Sequence, residues 1–468
     1  MENKKSICIL GSGTYGSYIA NVLADYPSKF DITILEVGGS KIMDESSIGF
    51  SAHKENNLNY AALEKGRYFG FGGSSSKWGG QLLFFEDMDF SKPSVFLKTL
   101  IDINVKYKST VLARFGIKDR ISSDYSKSIS NKFFALKKGT WLSYFKRNLF
   151  NLFQIKKKEN VRIISNARVI SLSVSGQKIE KVNYFHDSME KTIVSDYYFL
   201  TTGAFEASRI LIDSGIIPDL KIKFSDHFSS RIFEVNGPTK IGQFDFTFNF
   251  NHDYSLVTNR LIGEIDGLSF FIHPIYNQNF LFFQNLKSLL FKGNFSFKSI
   301  FNVVIDFPYV LRFVFELFIL RRLYVHKNVW YFQVDIESHT DISSMALTDK
   351  LDKFGCRTFD LEALESAKLT LGIIKIKELL RGYLKANNVK FKETYSDPTS
   401  IKLEDTYHPY NLFQEHSTVQ DFYENFDNLL IVNTGILPRV GGINPTASLF
   451  PLIEDFIKKY LINDSNES

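Results

Sequence analysis

Residues 6–36 read SICILGSGTYGSYIANVLADYPSKFDITILE. The apolar run 6–10 predicts a buried strand, 15–24 a helix, and 31–35 a second strand that ends at Glu36. In this order they make a βαβ opening. Gly11, Gly13 and Gly16, with Thr14 between them, lie where the strand turns into the helix. Glycine there permits a tight turn and lets a pyrophosphate approach the helix N-terminus, where unpaired N–H groups and the dipole favour negative charge. Glu36 is placed to accept hydrogen bonds from a ribose diol and to disfavour a 2′-phosphate. The fingerprint is common to NAD and FAD, since both contain ADP.

Working outward, the same alternation of elements continues. Strands are predicted at 161–173, 181–186 and 191–200, the last running into strand, turn and helix over 201–215 (TTGAFEASRILIDSG). Residues 242–283 alternate apolar with polar, which predicts an antiparallel sheet. A helix is predicted over 363–386, with Leu369, Ile373, Ile376 and Leu380 on one face, then a short strand at 429–432. The last helix, 447–457, has its first turns distorted by Pro451. No linker rich in Pro, Gly or Ser separates autonomous units, so the parts are expected to interleave.

A chain of 468 residues that is 44% hydrophobic is long enough for two cores. Its formal charge of +5 is small for that length and gives no broad footprint for nucleic acid. The two cysteines, Cys8 and Cys356, form neither a disulfide framework nor a metal-ligand cluster, so no metal is expected and the reduced cytoplasm fits. One segment stands apart: 299–320, SIFNVVIDFPYVLRFVFELFIL, approaches bilayer-spanning length but carries Asp306, Pro308, Arg312 and Glu316. Charges in hydrocarbon argue against a span. Across 286–327, seven basic residues stand against two acidic ones, with Phe and Leu between them, which is the composition of an interfacial helix; a buried helix or cap over the active site is the alternative.

A second glycine cluster, YFGFGGSSSKWGGQL at 68–82, brings Gly72, Gly73, Ser74, Ser75, Trp78 and Gly79 together. Such a run can lay its backbone against a flat ligand, with Trp78 as an aromatic wall. With this loop, the ADP fingerprint, the segment 201–215 containing Gly203, and SDHF around Asp226 and His227, the chain resembles the glucose-methanol-choline family of FAD-dependent oxidoreductases. A C-terminal stretch, LLIVNTGILPRVGGINPTASLFPLIEDFIKK at 429–459, with YHP at 407–409 upstream, adds to the resemblance.

The resemblance implies an α/β fold: a Rossmann-like FAD-binding domain built from the discontinuous segments 1–100, 160–232 and 401–468, with a substrate domain over 233–400 that holds an antiparallel sheet and the apolar basic segment 286–327. Residues 101–159 are expected as a helical cap or insertion. The resemblance also implies that His408 takes the proton of a primary or secondary alcohol while flavin N5 takes a hydride, and that Asn444 holds the alcohol oxygen. Asn433, Gly435, Pro445 and Thr446 join the flavin-binding set, and His227 is expected to be a structural or flavin-pocket residue rather than the base. Lys77 occupies the position where some relatives attach FAD through a histidine, so the flavin is expected to be non-covalent. The substrate expected is a small alcohol, a sugar derivative or lipid-linked sugar of surface-polysaccharide assembly, handled in the cytoplasm or on the inner face of the membrane. The electron acceptor is left open. The rival readings are an NAD-dependent dehydrogenase and a flavin-binding protein without turnover.

Overall fold

The computed structural model describes residues 4–48, 52–55, 66–117, 134–292, 297–338, 343–363, 366–395, 397, 400–413 and 416–463. The βαβ opening forms as Lys5–Leu10, Thr14–Ala24 and Phe30–Glu36. These strands are the middle of a five-stranded parallel sheet in the order Leu429–Ile431, Tyr197–Leu200, Lys5–Leu10, Phe30–Glu36, Val161–Ser165. Its members come from the first, middle and last parts of the chain, and Lys5–Leu10, Tyr197–Leu200 and Leu429–Ile431 are short, mostly buried runs of the kind parallel neighbours complete.

The second half is a large, mainly antiparallel sheet. Along its main path lie Phe391–Glu393, His227–Asn236, Val329–Glu337, Leu268–Tyr276, Leu256–Ile265, Ala135–Trp141 and Gln81–Leu82. Helix Ala367–Ala386 covers one face. Its buried residues Leu369, Ile373, Ile376, Leu380 and Leu384 share a core with Trp330, Phe332, Val334 and Ile336, a set separate from the core around the parallel sheet. The α/β class with a Rossmann-like part assembled from separated segments and an antiparallel second part is therefore the fold observed.

Several expected elements differ in detail. The run 161–173 divides at Asn166, which adopts a left-handed φ of 55°, into Val161–Ser165 of the parallel sheet and Arg168–Ser175 of a three-stranded meander. The run 191–200 divides in the same way: Met189–Ile193 ends the meander before Asp196, whose carboxylate accepts from the Ser6 N–H (2.6 Å) and Oγ (2.7 Å), starts the next strand. The antiparallel pair within 242–283 spans Leu256–Ile265 and Leu268–Tyr276 and turns at Asp266 and Gly267, both at positive φ; Phe282 already opens a helix. The helix predicted from 363 begins at Ala367, after a Ser366 cap whose Oγ accepts from the Lys368 N–H at 3.1 Å. Helix 447–457 begins at Phe450, after the tight turn Pro445–Leu449; Pro451 falls in its first turn, where a proline forfeits no bond.

The span 101–159, expected as a helical cap or insertion, holds both helix and strand. Val95–Arg114 is a core helix, with Leu100, Ile103, Tyr107 and Val111 buried at helical spacing and Asn104 Nδ2 donating to the Ser448 carbonyl at 3.0 Å. Ala135–Trp141 is a strand of the large sheet, and residues 118–133 lie outside those described.

The apolar basic segment forms two helices, Phe282–Lys292 and Phe297–Phe318. Val303, Tyr309, Val310 and Phe313 pack on a small cluster with Phe280, Phe282 and Tyr324, while Glu316 is buried against Arg322. The opposite face is apolar and uncovered: Val304 is 66% exposed, and Phe301, Phe307, Leu311, Phe315 and Phe318 are each more than half exposed or at half. Among the described residues no helix is long and apolar enough to cross a membrane. The side chains of Lys287, Lys292 and Ser299, like residues 293–296, lie outside the described set.

Candidate active site

A cleft of about 650 Å³ opens over the C-terminal ends of the parallel strands, the position where open α/β sheets take ligands. Gly11, Gly13, Thr14, Glu36, Gly73, Ser74, Trp78, Gly79, Gly203, Asn433, Thr446, His408 and Asn444 all line it. The sequence separates these residues by more than four hundred positions; the parallel sheet brings the ends of its strands, with Gly11, Glu36, Gly203 and Asn433, to one edge, and the loops that carry the others fold over it.

The two glycine loops meet face to face. A Cβ on Gly73 would lie 2.9 Å from the Cα of Gly13, and the Gly72 N–H donates to the Ser12 carbonyl at 3.1 Å. Helix Thr14–Ala24 opens with no side-chain cap at Gly13, so its first N–H groups face the cleft. A Cβ on Gly13 or Gly203 would meet nothing within 4 Å. Thr202 Oγ1 and Asn433 Nδ2 are buried in the lining with no hydrogen-bond partner among the described residues. Open space over glycines at a bare helix N-terminus, ringed by buried polar atoms in want of partners, fits a dinucleotide with its phosphates at that terminus.

Five residues of the expected binding set serve the loops rather than line the cleft. A Cβ on Gly16 would come within 1.9 Å of the Gly11 carbonyl oxygen, and one on Gly72 within 2.3 Å of Asn148 Oδ1. Ser75 donates to the Gly72 carbonyl (2.5 Å) and accepts from the Leu149 N–H (3.1 Å). Gly435 donates its N–H to Asn433 Oδ1 at 2.8 Å, and Pro445 starts the turn after Asn444. Glu36 lines the cleft, but its carboxylate is already met by four protein donors: Ser12 N–H and Oγ at 2.9 and 2.7 Å, Gly38 N–H at 2.9 Å and Gly70 N–H at 3.0 Å. Here it staples three loops together.

His408 and Asn444 stand at the inner end of the cleft, where a second cavity of about 310 Å³ begins; both residues and Thr406 line the two spaces alike. Asn444 Oδ1 accepts from the Thr446 N–H at 3.1 Å, which turns the amide so that Nδ2 faces His408 Nε2 at 2.9 Å. An amide nitrogen only donates, so Nε2 carries the lone pair and the proton sits on Nδ1, 3.1 Å from Thr406 Oγ1. Thr406 Oγ1 lies 3.3 Å from Asp226 Oδ1, and the same oxygen takes the backbone N–H groups of His408 (3.0 Å) and His227 (2.7 Å). The Asp-His turn noted in the sequence thus anchors the histidine loop. Burial, helped by neighbouring His227 and opposed by Asp335, pushes the His408 pKa down to about 3, so the imidazole is neutral. His227, whose Nε2 donates to the Gly441 carbonyl at 2.9 Å, is likewise held low by burial.

The sequence reading missed the polar wall of the second cavity, Gln81, Arg260, His273 and Asp335, which sit on strands of the large sheet. It also missed an ion cluster at the outer cleft, where Arg168 and Arg209 clasp Glu206. Burial would raise the Glu206 carboxyl, but Arg168, Arg209 and Arg67 overcome it and hold it at about 2. Only the run of Arg and Glu in an otherwise apolar helix, AFEASRILID, signalled that cluster.

No family model matches this chain, and no curated protein matches it in sequence. In fold it is similar to pyridoxine 4-oxidase from Mesorbium loti, with a TM-score of 0.56 and 13% identity over 98% of this chain and 99% of that one. The two share an architecture. The likeness runs the length of both chains and so takes in the parallel and the antiparallel sheet alike.

Proposed function

We propose that this protein oxidises a primary or secondary alcohol with bound FAD. The observation that carries the reading is the junction of the two cavities at His408 and Asn444: a cleft fitted to a dinucleotide on one side, a small polar cavity on the other, and a paired hydrogen-bond acceptor and donor between them. The FAD enzyme resemblance of the sequence and an oxidase of the same fold support flavin over NAD. The flavin is taken as non-covalent, because His408 is the one histidine among the described lining residues and the glycine-serine loop offers Lys77.

FAD supplies a two-electron acceptor for the carbon-bound hydride. The residues of the chain handle the hydroxyl. The alcohol O–H donates to His408 Nε2 and its oxygen accepts from Asn444 Nδ2, so the substrate takes the place of the bond between them. His408 Nε2 receives the proton as the C–H bond breaks, and a carbonyl is left. Because burial disfavours an imidazolium here, loss of the proton and of the hydride belong to one step rather than to a preformed alkoxide. Thr406 and Asp226 fix the imidazole in the tautomer the step needs.

The substrate in this reading is a sugar or lipid-linked sugar of surface-polysaccharide assembly: Trp141, Tyr276 and the polar wall suit a polyhydroxyl ring. Leu323, which follows the exposed apolar helix within a few residues, lines the same cavity, so that helix would dock on the inner face of the membrane beside the substrate's point of access. The deciding experiment is the visible spectrum of the purified protein, acid release of FAD, and anaerobic bleaching by alcohols. Flavin bands, FAD in the supernatant and bleaching by a sugar alcohol are the expected results. A colourless protein that cannot be reconstituted returns the NAD reading, and a yellow protein that no alcohol bleaches returns a binder without turnover.

A further inference from the structure

The second cavity contains a side chain that the reaction does not use and the fold does not satisfy. Arg260, on the strand Leu256–Ile265, is 1% exposed, and its Nε and Nη1 have no hydrogen-bond partner among the described residues. The guanidinium is flanked by the rings of Trp141 and Phe271, 5.3 and 4.7 Å from their centroids. These rings fix its plane but supply no acceptor.

The acids Asp335 and Asp89 act on Arg260 through space, but each has hydrogen-bond or ion-pair partners of its own. Asp335 Oδ1 accepts from Gln333 Nε2 at 3.1 Å and from Ser229 Oγ, and its Oδ2 lies 3.4 Å from His273 Nε2. Asp89 is paired with Lys137. Burial lowers the Arg260 pKa to about 10, which still leaves it charged near neutrality. A buried cation with unmet donors destabilises a fold, and its planar fork suits one class of partner best, an oxyanion bound through two parallel bonds.

We propose that the substrate alcohol carries an oxyanion, a carboxylate or a phosphate ester, and that Arg260 binds it inside this cavity while His408 and Asn444 hold the hydroxyl. This deepens the alcohol-oxidation reading and rests on it. The acid group of a sugar acid and the phosphate that joins a sugar to a lipid present the same chemistry to the guanidinium.

The test is calorimetric titration of the holoprotein with two probe pairs, glucuronate against glucose and glycerol phosphate against glycerol. The charged member of at least one pair should bind about tenfold more tightly or better. Preference within the first pair points to a sugar acid, and within the second to a phosphate ester. Arg260→Met should abolish the preference and raise Tm, since it removes an unsatisfied buried charge and keeps the packing; Arg260→Lys should keep part of the preference. Equal binding within both pairs, binding of none of the four probes, an undiminished preference in Arg260→Met, or a Tm lowered by that variant would each overturn the proposal. His408→Ala separates the two readings, because it should slow turnover roughly 100-fold or more and leave anion preference intact. Turnover within about threefold of wild type in His408→Ala sinks the role of His408 but not that of Arg260.

Discussion

Asn444 Nδ2 lies 2.9 Å from His408 Nε2, although the two residues sit on different loops. The contact fixes which imidazole nitrogen is free to accept a proton. It places an amide donor beside that acceptor, an arrangement that matches the donor and acceptor of a single hydroxyl group. His408→Ala is therefore expected to slow anaerobic flavin reduction by substrate roughly 100-fold or more, as loss of a general base does, with FAD content unchanged. Asn444→Ala is expected to slow it less and to raise KM, because the oxygen loses a donor while the base remains. Stopped-flow absorbance measures both; a reduction rate for His408→Ala within about threefold of wild type would remove it from the mechanism.

The depressed His408 pKa sets a dependence of stability on acidity. Its folded value of about 3 lies below the value of about 6.5 for an unperturbed histidine. Between these limits the unfolded chain binds the extra proton, so stability is complete above about pH 6.5 and is lost as the pH falls toward 3. The lowered His227 acts with the same sign. Urea unfolding is expected to show stability falling below about pH 6.5 with a slope of up to about 1.4 kcal/mol per pH unit for each histidine. His408→Asn should flatten that slope, and an unchanged slope in the variant would show that His408 is not the group being titrated.

The positions legible in the sequence are those where local spacing and local chemistry coincide. Gly11, Gly13 and Glu36 share one βαβ unit, so a short stretch discloses their neighbourhood. His408 and Asn444 were reached through resemblance, since nothing in their own spacing brings them together. Arg260, His273 and Asp335 were not legible: each is one residue of a long strand with no motif around it, and its partners are set by cross-strand register such as Ile272 opposite Val334. The hydrogen bonds Glu36 makes to the loops were not legible for a related reason. Its ribose reading is local, whereas the Gly70 N–H that occupies it comes from a later loop.

The fingerprint glycines should separate by function. A Cβ on Gly16 would drive into the Gly11 carbonyl at 1.9 Å and Thr201 Oγ1 at 2.8 Å, so Gly16→Ala is expected to cost about 1–3 kcal/mol of stability or more. Gly13→Ala meets no protein atom within 4 Å and should fold with near wild-type stability, but its methyl group projects where the phosphates would lie. Thermal unfolding and the ratio of flavin to protein absorbance distinguish the two. A Gly13→Ala protein that holds FAD normally would move the pyrophosphate away from this helix terminus.

Helix Phe297–Phe318 reverses the usual pattern of a surface helix: Glu316 faces the protein, and an apolar stripe from Phe301 through Val304, Leu311 and Phe315 to Ile319 faces outward. Exposed Lys298, Arg312, Arg321, Arg322 and Lys327 flank the stripe, and among the described residues no acidic side chain interrupts its outer face. Apolar burial with basic flanks is the pairing that holds a peripheral helix on anionic lipid. The protein is expected to float with vesicles containing phosphatidylglycerol and to bind neutral phosphatidylcholine vesicles far less. Val304→Glu with Phe315→Glu should weaken flotation at least about tenfold, since each puts a charge into the acyl boundary, and should leave Tm nearly unchanged because both side chains are already outside the core. Flotation that is absent for the wild type, or equal in the double variant, would show that the stripe is not a lipid contact.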